Sequence, residues 1–223
     1  MICHENLPLL LDNPFNLYEG NLVHYYQVIL FRAQNLKKGY HNFRHMFQVA
    51  FNCYEACEFY QENAKQLLSP LEMRKLLVAA LFHDFDHSGL FGHDDLNLKR
   101  AVRGFEKHVQ ECDKPFIGEI GSIMWETKFP YENEVDDLPL VSKIIRDADM
   151  GQTFSEAWIQ QVIMGLSEEW NMAPIDVLKS QPKFLSELRF HTSWGQKKFP
   201  QSVIDRKIAE SQALIEMAHR KLP

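Results

Sequence analysis

The feature of this chain that most constrains its fold is the spacing of its apolar residues, which recur every three or four positions along most of its length. In residues 73–84, for example, Met73, Leu76, Leu77 and Ala80 lie on one face of a helix. Alternating apolar and polar residues, which are typical of strands, never continue long enough to build a sheet. The sequence therefore predicts an all-α fold.

Helix boundaries are predicted from this periodicity and from turn-forming pairs such as Ser69-Pro70 and Ser88-Gly89. The predicted helices span 21–36, 43–66, 71–84, 95–110, 115–127, 138–149, 152–166, 174–188 and 201–220. A chain of 223 residues can bury a complete core, and no repeat, low-complexity tract or linker divides it. We expect one domain over residues 1–223, with a core that carries the motifs at about 40–150 and additional C-terminal helices at about 151–223.

Composition excludes several classes of protein. The formal net charge of −6 and the pI near 5.9 argue against nucleic-acid binding, because phosphate backbones attract an excess of Lys and Arg. The N-terminal residues lack the basic and apolar regions of a signal peptide, and no later run approaches the ~18 apolar residues of a membrane span, so we expect a cytoplasmic location. Cysteines are too few and too irregularly spaced to predict a disulfide framework; we expect reduced thiols at Cys3, Cys53, Cys57 and Cys112, with Cys53 and Cys57 packed in the core.

Several histidines and aspartates fall on helix faces that should point inward. His83 and Asp84 continue the apolar face of residues 73–84, and His45 shares a face with apolar residues of its own predicted helix. Taken singly, each fits a hydrogen-bonded core or surface position, and His83-Asp84 also fits a helix C-terminus. An ionised aspartate facing a core is costly without a partner, however, and a divalent cation is a strong partner for several such groups. Their combination with the acidic segment at 147–149 therefore predicts a metal site.

Two segments of the chain resemble motifs of the cyclic-nucleotide phosphodiesterases, Tyr40-His41-Asn42-x-x-His45 and His83-Asp84-x-Asp86-His87-x-Gly89. A third, Phe105-Glu106-Lys107-His108, resembles their L-E-N-H segment. With Asp149 added, the set resembles the H…HD…D signature of the HD superfamily of metal-dependent phosphohydrolases. This resemblance covers residues 40–150 and implies an HD-type helical domain.

The resemblance implies that a first metal is bound by His45, His83, Asp84 and Asp149. It also implies that Asp84 bridges to a second metal, otherwise held mainly by water, and that His41 is the proton donor. Nitrogen and oxygen donors together fit Mn, Mg, Fe, Zn, Co or Ni, whereas calcium sites prefer oxygen alone; one or two ions are expected.

Periodicity alone does not decide between Asp147 and Asp149 as the acidic ligand, and the resemblance selects Asp149. Asp147 is then either a residue that hydrogen bonds near the metal or a surface acid. We interpret Asp86 and His87 as residues that orient water or the ligands by hydrogen bonding, or else as turn residues of the loop at 85–92.

Further residues are predicted to lie near the metals or to contact the substrate. Glu106 and His108 are placed near the metals, or at a second one, through the L-E-N-H resemblance. Contact with a substrate phosphate, or a solvated helix face, is expected for Arg44, Lys99, Arg100 and Arg103. Residues 190–199 combine aromatics with lysines and form either a lid that stacks a base or a packed connecting loop.

The chain also departs from the phosphodiesterase pattern. Those enzymes carry an asparagine three residues after the glycine of the H-x-G element, where this chain has Gly92. We find no counterpart of the glutamine that clamps the nucleotide base in their C-terminal part, and the chain is shorter than their usual catalytic domain. The stretch Asp94-Asp95-Leu96-Asn97 followed by Ala101 resembles the small HD phosphohydrolases instead.

The leading interpretation is a metal-dependent phosphohydrolase that cleaves a small phosphomonoester or phosphodiester, including those of nucleotides. In the expected mechanism, water activated by metal attacks the phosphorus atom and His41 protonates the departing oxygen. An alternative is an HD-fold di-iron oxygenase, in which His87 together with His108 or His93 would bind the second iron. A further alternative is a non-catalytic metal-binding or scaffold domain.

Overall fold

The computed structural model describes residues 6–12, 15, 17, 20–63, 68–131 and 135–220. All regular structure in these residues is helical, so the predicted all-α class is confirmed. The α-helices are α1 (Asn6–Asp12), α2 (Val23–Arg32), α3 (Phe43–Asn63), α4 (Pro70–Phe82), α5 (Asp94–His108), α6 (Ile117–Trp125), α7 (Leu140–Met150), α8 (Gly165–Trp170), α9 (Pro174–Glu187), α10 (Ser193–Lys198) and α11 (Gln201–His219). Cys3 and the predicted helical residues 64–66 lie outside the described residues.

The helix α4 shows how local sequence sets these boundaries. Ser69 accepts a hydrogen bond from the backbone N–H of Glu72, whose side chain accepts in return from the backbone of Ser69, and Pro70 occupies the first helical position. The helix ends at Phe82, two residues before the predicted boundary, although His83 keeps helical dihedral angles of φ −51° and ψ −32°. Asp84 therefore lies in the turn that follows α4.

The hydrophobic core is built around α4, against which α3, α6 and α7 pack. Every residue of α4 from Leu76 to Phe82 is fully buried, and Cys53 and Cys57 of α3 are buried in the same core, as predicted. Because α4 is covered on all sides, its C-terminal end is held in a fixed position beside α3 and α7. No helix in the described ranges is long and apolar enough to cross a membrane.

The predicted continuous helix at 152–166 is wrong. The chain forms a 3-10 turn at Gly151–Phe154, leaves the helical conformation at Ser155, winds into a π-helix at Ile159–Met164 and continues as α8. Apolar periodicity does not distinguish α from 3-10 or π turns over such short stretches. Trp158, Val162, Leu166 and Val177 form a small second hydrophobic cluster, with Tyr40 packed against it.

Residues 190–199 form the short helix α10 and its flanks, which pack into the core. The side chains of Phe190, Trp194 and Phe199 are buried, so this segment does not have the character of a lid. Asp147 anchors it by accepting hydrogen bonds from the backbone N–H groups of His191 and Thr192 and from the hydroxyl of Thr192. Neither role expected for Asp147 is observed, because its carboxylate is buried and turned to this segment rather than to the metal residues.

Candidate active site

A cavity of about 510 Å³ opens where α3, α5, α7, α8 and α9 meet the turn after α4. The ends of three helices place predicted metal residues along this cavity: His45 lies in the first turn of α3, Asp84 in the turn after α4, and Asp149 near the end of α7. Residues that are far apart in the chain are thus brought to one wall of one cavity.

The four predicted metal ligands converge. The Nε2 atom of His45 lies 3.0 Å from Oδ1 of Asp149, 3.3 Å from Oδ2 of Asp84 and 3.3 Å from Nε2 of His83. The Nε2 atom of His83 lies 3.3 Å from Oδ2 of Asp84 and 3.7 Å from Oδ1 of Asp149. Donors that share one cation at 2.0–2.2 Å lie about 3–3.6 Å apart, so the separations of the two imidazoles from each other and from the two carboxylates are close to those within one coordination sphere.

The chemistry of this set fits a divalent cation. The Oδ2 atom of Asp84 is buried and makes no hydrogen bond to any described residue. Burial would raise the pKa of Asp84, but the neighbouring imidazoles of His83 and His41 hold it well below its ordinary value, so the carboxylate is ionised. Burial would likewise lower the pKa of His83, but the charges of Asp84 and Asp149 raise it to about 9. A buried carboxylate without a hydrogen-bond donor, facing two imidazoles and a second carboxylate, is the environment that a cation stabilises.

The second ring nitrogen of each metal-directed histidine is held by a hydrogen bond. Nδ1 of His83 lies 2.7 Å from the carbonyl oxygen of Ala80, and Nδ1 of His45 lies 2.5 Å from Oε1 of Gln152. A carbonyl oxygen only accepts, so both Nδ1 atoms carry a proton and both Nε2 atoms face the cluster, where each would bind a cation through its lone pair once any second proton is displaced.

His41 lines the same cavity and is oriented by Glu169. One carboxylate oxygen of Glu169 accepts from the backbone N–H groups of Tyr40 (2.6 Å) and His41 (2.8 Å), and the other lies 2.7 Å from Nδ1 of His41. Burial would lower the pKa of His41, but the charge of Asp84 and the hydrogen bond to Glu169 raise it above its ordinary value. An imidazole that holds its proton near neutral pH is suited to protonate a leaving group.

The ring of His87 stacks on that of His41, with centroids 3.7 Å apart and an interplanar angle of 19°. Burial lowers the pKa of His87 to about 4, so this ring is neutral. The amide of Asn97 in α5 lies beside it, with Nδ2 2.8 Å from Nε2 of His87, and Oδ1 of Asn97 accepts from the backbone N–H of Ser88. The ring of His87 therefore lies against His41, the predicted proton donor.

His41, His87 and Glu169 form a second group of potential ligand atoms within 4.8 Å of one another. Stacked imidazole rings direct their in-plane lone pairs along nearly parallel planes, so the lone pairs of His41 and His87 do not converge on one ion. The geometry of this group therefore does not favour a shared cation.

Asp86 is hydrogen bonded to the loop that contains Gln34 and Asn35. Its Oδ1 accepts from the backbone N–H of Gln34, and its own N–H donates to Oδ1 of Asn35. The buried amide of Asn35 then donates to the carbonyl oxygens of both His41 and Asp84, each at 2.7 Å. Asp86 thereby supports the loops that carry the donor and a metal residue, and Asn35 is a supporting residue that sequence reasoning missed.

Other predicted site residues lie elsewhere. Glu106 is exposed on α5, and His108 is half-buried with its carbonyl oxygen accepting from Nε2 of His24. The predicted phosphate contacts Arg44, Lys99, Arg100 and Arg103 are all exposed. None of these residues lines the cavity, because the polar faces of α3 and α5 point to solvent. His93 is also exposed and outside the cavity, so the histidines required for a second iron in the oxygenase alternative are not brought together.

Lys128 is a positively charged residue of the cavity that was not predicted from the sequence. Among the lysines and arginines of the described ranges it alone lines the cavity, and its Nζ atom lies 2.8 Å from Oδ1 of the exposed Asp95. No periodic pattern marks it, since it follows the end of α6.

Gln181 is a further cavity residue that sequence reasoning missed. It is buried in α9 with Nε2 near the carbonyl oxygen of Val177 (3.3 Å), while its Oε1 makes no hydrogen bond to a described residue. Phe184 lines the cavity one helical turn later. The signal was available, because Gln181 interrupts the apolar stripe of Val177 and Leu185 at helical spacing. Gln181 is therefore a candidate for the base-binding glutamine, for which the sequence showed no counterpart.

Comparisons with known proteins agree with this geometry. Residues 40–93 match the family model of the 3′,5′-cyclic nucleotide phosphodiesterases. The fold is similar to the crystal structure of the phosphodiesterase domain of rhodopsin phosphodiesterase from Salpingoeca rosetta, with a TM-score of 0.59 and 18% sequence identity, over 88% of this chain and 80% of that one. No curated protein matches the chain.

The family match covers the segment that supplies His41, His45, His83 and Asp84. Together with the histidine–aspartate cluster, it confirms the predicted class of a metal-dependent phosphohydrolase. The structural match confirms the helical architecture expected for that class. The predicted resemblance to the HD-type metal-dependent phosphohydrolases, with motifs similar to those of the cyclic-nucleotide phosphodiesterases, is thereby confirmed.

Proposed function

We propose that this protein hydrolyses a 3′,5′-cyclic nucleotide to a nucleoside monophosphate. The observation that carries the proposal is that one cavity holds both the cluster of metal residues and Gln181, a buried amide with an unpaired carbonyl oxygen. The match of residues 40–93 to the cyclic nucleotide phosphodiesterases supports the same substrate class. A phosphate at the cluster and a base at Gln181 would place the two parts of a nucleotide in one pocket of suitable volume.

The metal residues are proposed to be His45, His83, Asp84 and Asp149, with Asp84 serving both ions where two are bound. A divalent cation held there would supply polarisation of a phosphoryl oxygen and a lowered pKa of a coordinated water. Mixed imidazole and carboxylate donors make manganese, magnesium, zinc and iron all suitable occupants.

His41 is proposed to be the proton donor. Its imidazolium would protonate the ester oxygen that leaves phosphorus, and Glu169 holds the ring by its Nδ1 atom so that Nε2 is free to donate. The neutral ring of His87 stacked beneath it restricts rotation of the donor. The chain thus contributes a protonated acid that is oriented before substrate arrives.

The base is proposed to lie between apolar and aromatic side chains of the cavity, including Phe129, Phe184 and Trp170. The unpaired Oε1 of Gln181 would accept a hydrogen bond from the exocyclic amine of the base. Adenine carries an amino donor at position six, where guanine carries a carbonyl oxygen, so an acceptor directed at position six favours the adenine nucleotide.

The proposal is tested with metal-stripped protein that is reloaded with Mn²⁺ and incubated with 3′,5′-cyclic AMP, 3′,5′-cyclic GMP, bis(p-nitrophenyl) phosphate and a panel of phosphomonoesters. We expect a nucleoside monophosphate from the cyclic nucleotides, no activity with excess chelator, and none with Asp149→Asn. Asp137→Asn, at an exposed position, is the matched control. Hydrolysis of the monoesters alone would overturn the assignment of a cyclic diester.

A further inference from the structure

The buried side-chain amides of Gln152 and Gln161 form a hydrogen-bonded chain that ends at His45 of α3. The Oε1 atom of Gln152 lies 2.5 Å from Nδ1 of His45, and the Nε2 atom of Gln152 donates to Oε1 of Gln161 at 2.5 Å. Gln152 is 2% and Gln161 6% exposed. Both amides are therefore withdrawn from water and paired with each other.

The order of donors and acceptors in this chain determines that Nδ1 of His45 carries a proton. In this structure Oε1 of Gln161 accepts a hydrogen bond from the amide nitrogen of Gln152. The carbonyl oxygen of Gln152 is then turned to His45, where it requires a proton on Nδ1. The lone pair of His45 is consequently on Nε2, the atom that lies 3.0 Å from Asp149 and 3.3 Å from Asp84.

The backbone that supplies these amides is irregular at both positions. Gln152 lies in the 3-10 turn that follows α7, and Gln161 lies in the π-helix at Ile159–Met164. One residue inserted into an α-helix rotates the following side chains by about 100°, and π turns occur often at functional sites. The π turn here directs Gln161 at Gln152, and α8 beyond it directs Glu169 at His41.

We propose that Gln152 is a positioning residue of the metal centre and that Gln161, presented by the π turn, fixes its orientation. Gln152 holds the ring of His45 in the tautomer and angle that a cation needs. Hydrogen-bond partners of metal-binding histidines typically contribute 10–100-fold to metal affinity. This inference concerns metal binding in the absence of substrate, so it stands or falls independently of which ester the protein cleaves.

The test measures Mn²⁺ binding to the metal-stripped protein by isothermal titration calorimetry. Gln152→Leu keeps the approximate volume but removes the acceptor, and we expect its dissociation constant to rise about 10–100-fold. Gln152→Glu keeps an acceptor for Nδ1 and should remain near the wild-type value. Gln161→Leu should weaken binding by a smaller factor, and Gln160→Leu, exposed on the same π turn, should leave it unchanged.

A second readout separates positioning from packing. Nitrogen-15 NMR of the histidine side chains in the metal-stripped protein should show Nδ1 of His45 protonated and hydrogen bonded in the wild type and in Gln152→Glu, and should show the loss of that hydrogen bond in Gln152→Leu. Thermal unfolding of each metal-stripped variant establishes that it is folded. Wild-type Mn²⁺ affinity in Gln152→Leu, or an equal loss in Gln152→Leu and Gln152→Glu, would overturn the proposal. Should Gln152→Leu not fold, Gln161→Leu against Gln160→Leu decides it, and equal affinities would count against a positioning role.

Discussion

Gly39 and Gly165 touch through their backbones, and neither position has room for a side chain. A Cβ atom on Gly39 would lie 2.3 Å from the carbonyl oxygen of Gly165, and one on Gly165 would lie 2.5 Å from that of Gly39. This contact seats the start of α8 against the loop that leads to Tyr40 and His41. Glu169, one turn further along α8, reaches the backbone and ring of His41 only because of this close approach.

Gly165→Ala should therefore separate α8 from the loop that carries His41. Overpacking of this kind costs about 1–3 kcal/mol, which here exceeds the gain of about 1 kcal/mol that alanine normally brings to a helix. We expect a lower midpoint of urea unfolding and a lower kcat. The matched control is Gly118→Ala in α6, where an added Cβ meets no atom within 4 Å and stability should stay equal or rise. Equal behaviour of the two variants would contradict the close-contact argument.

His41→Ala should lower kcat more for substrates with a poor leaving group than for substrates with a good one. General acid catalysis contributes about 10²–10⁴-fold, and an alkoxide needs the proton far more than p-nitrophenolate does. We expect a large loss of kcat on a cyclic nucleotide and a small one on bis(p-nitrophenyl) phosphate. His93→Ala, exposed and outside the cavity, serves as the control. The same fractional loss on both substrates would argue against His41 as the donor.

Glu169→Gln should shift the pH dependence of kcat/KM. The donor must be protonated, so activity is lost as the pH rises through the pKa of His41, and a raised pKa extends activity to higher pH. Removing the carboxylate that helps to raise this pKa should move the basic limb to lower pH. Glu168→Gln, at the exposed neighbouring position, should leave the profile in place. An unmoved basic limb in Glu169→Gln would show that another group sets it.

Gln181→Leu should weaken recognition of the base without slowing the chemical step. Loss of a buried hydrogen bond to substrate costs about 1–3 kcal/mol, so KM for 3′,5′-cyclic AMP should rise by roughly 5- to 150-fold while kcat changes little. In the wild type we expect a lower KM for cyclic AMP than for cyclic GMP, and this difference should narrow in the variant. The exposed Gln196→Leu provides the comparison. A fall in kcat at constant KM would place Gln181 in another role.

Much of the fold was predictable because helical periodicity is a local property. The stripe of Met73, Leu76, Leu77 and Ala80 predicted both the helix and the inward direction of the residues that follow it, and α4 is the buried centre of the core. His45, His83, Asp84 and Asp149 were likewise predicted from their faces and from the family motifs, and the structure brings the two histidines within 3.0–3.7 Å of both aspartates.

Supporting residues were not predictable in the same way, because their partners are distant in the chain. Glu169 stands 128 residues from His41, in a stretch that has the composition of a solvated acidic turn. Gln152 and Gln161 were predicted to belong to one regular helix, and only its division into 3-10 and π turns brings the two amides into contact. The basic face of α5 was compatible with either substrate contact or solvent, and the structure shows that it faces solvent.

By itself, the sequence determined the helical class, the inward faces and the identity of the residues with metal-binding chemistry, since side-chain type and helical spacing are properties of short segments. Only the tertiary structure decided which polar groups orient those residues: Asn35 between the loops of His41 and Asp84, Glu169 on His41, and Gln152 on His45. The physical reason is that a buried hydrogen bond depends on the distance and angle between two segments, and packing of the whole core sets that relation.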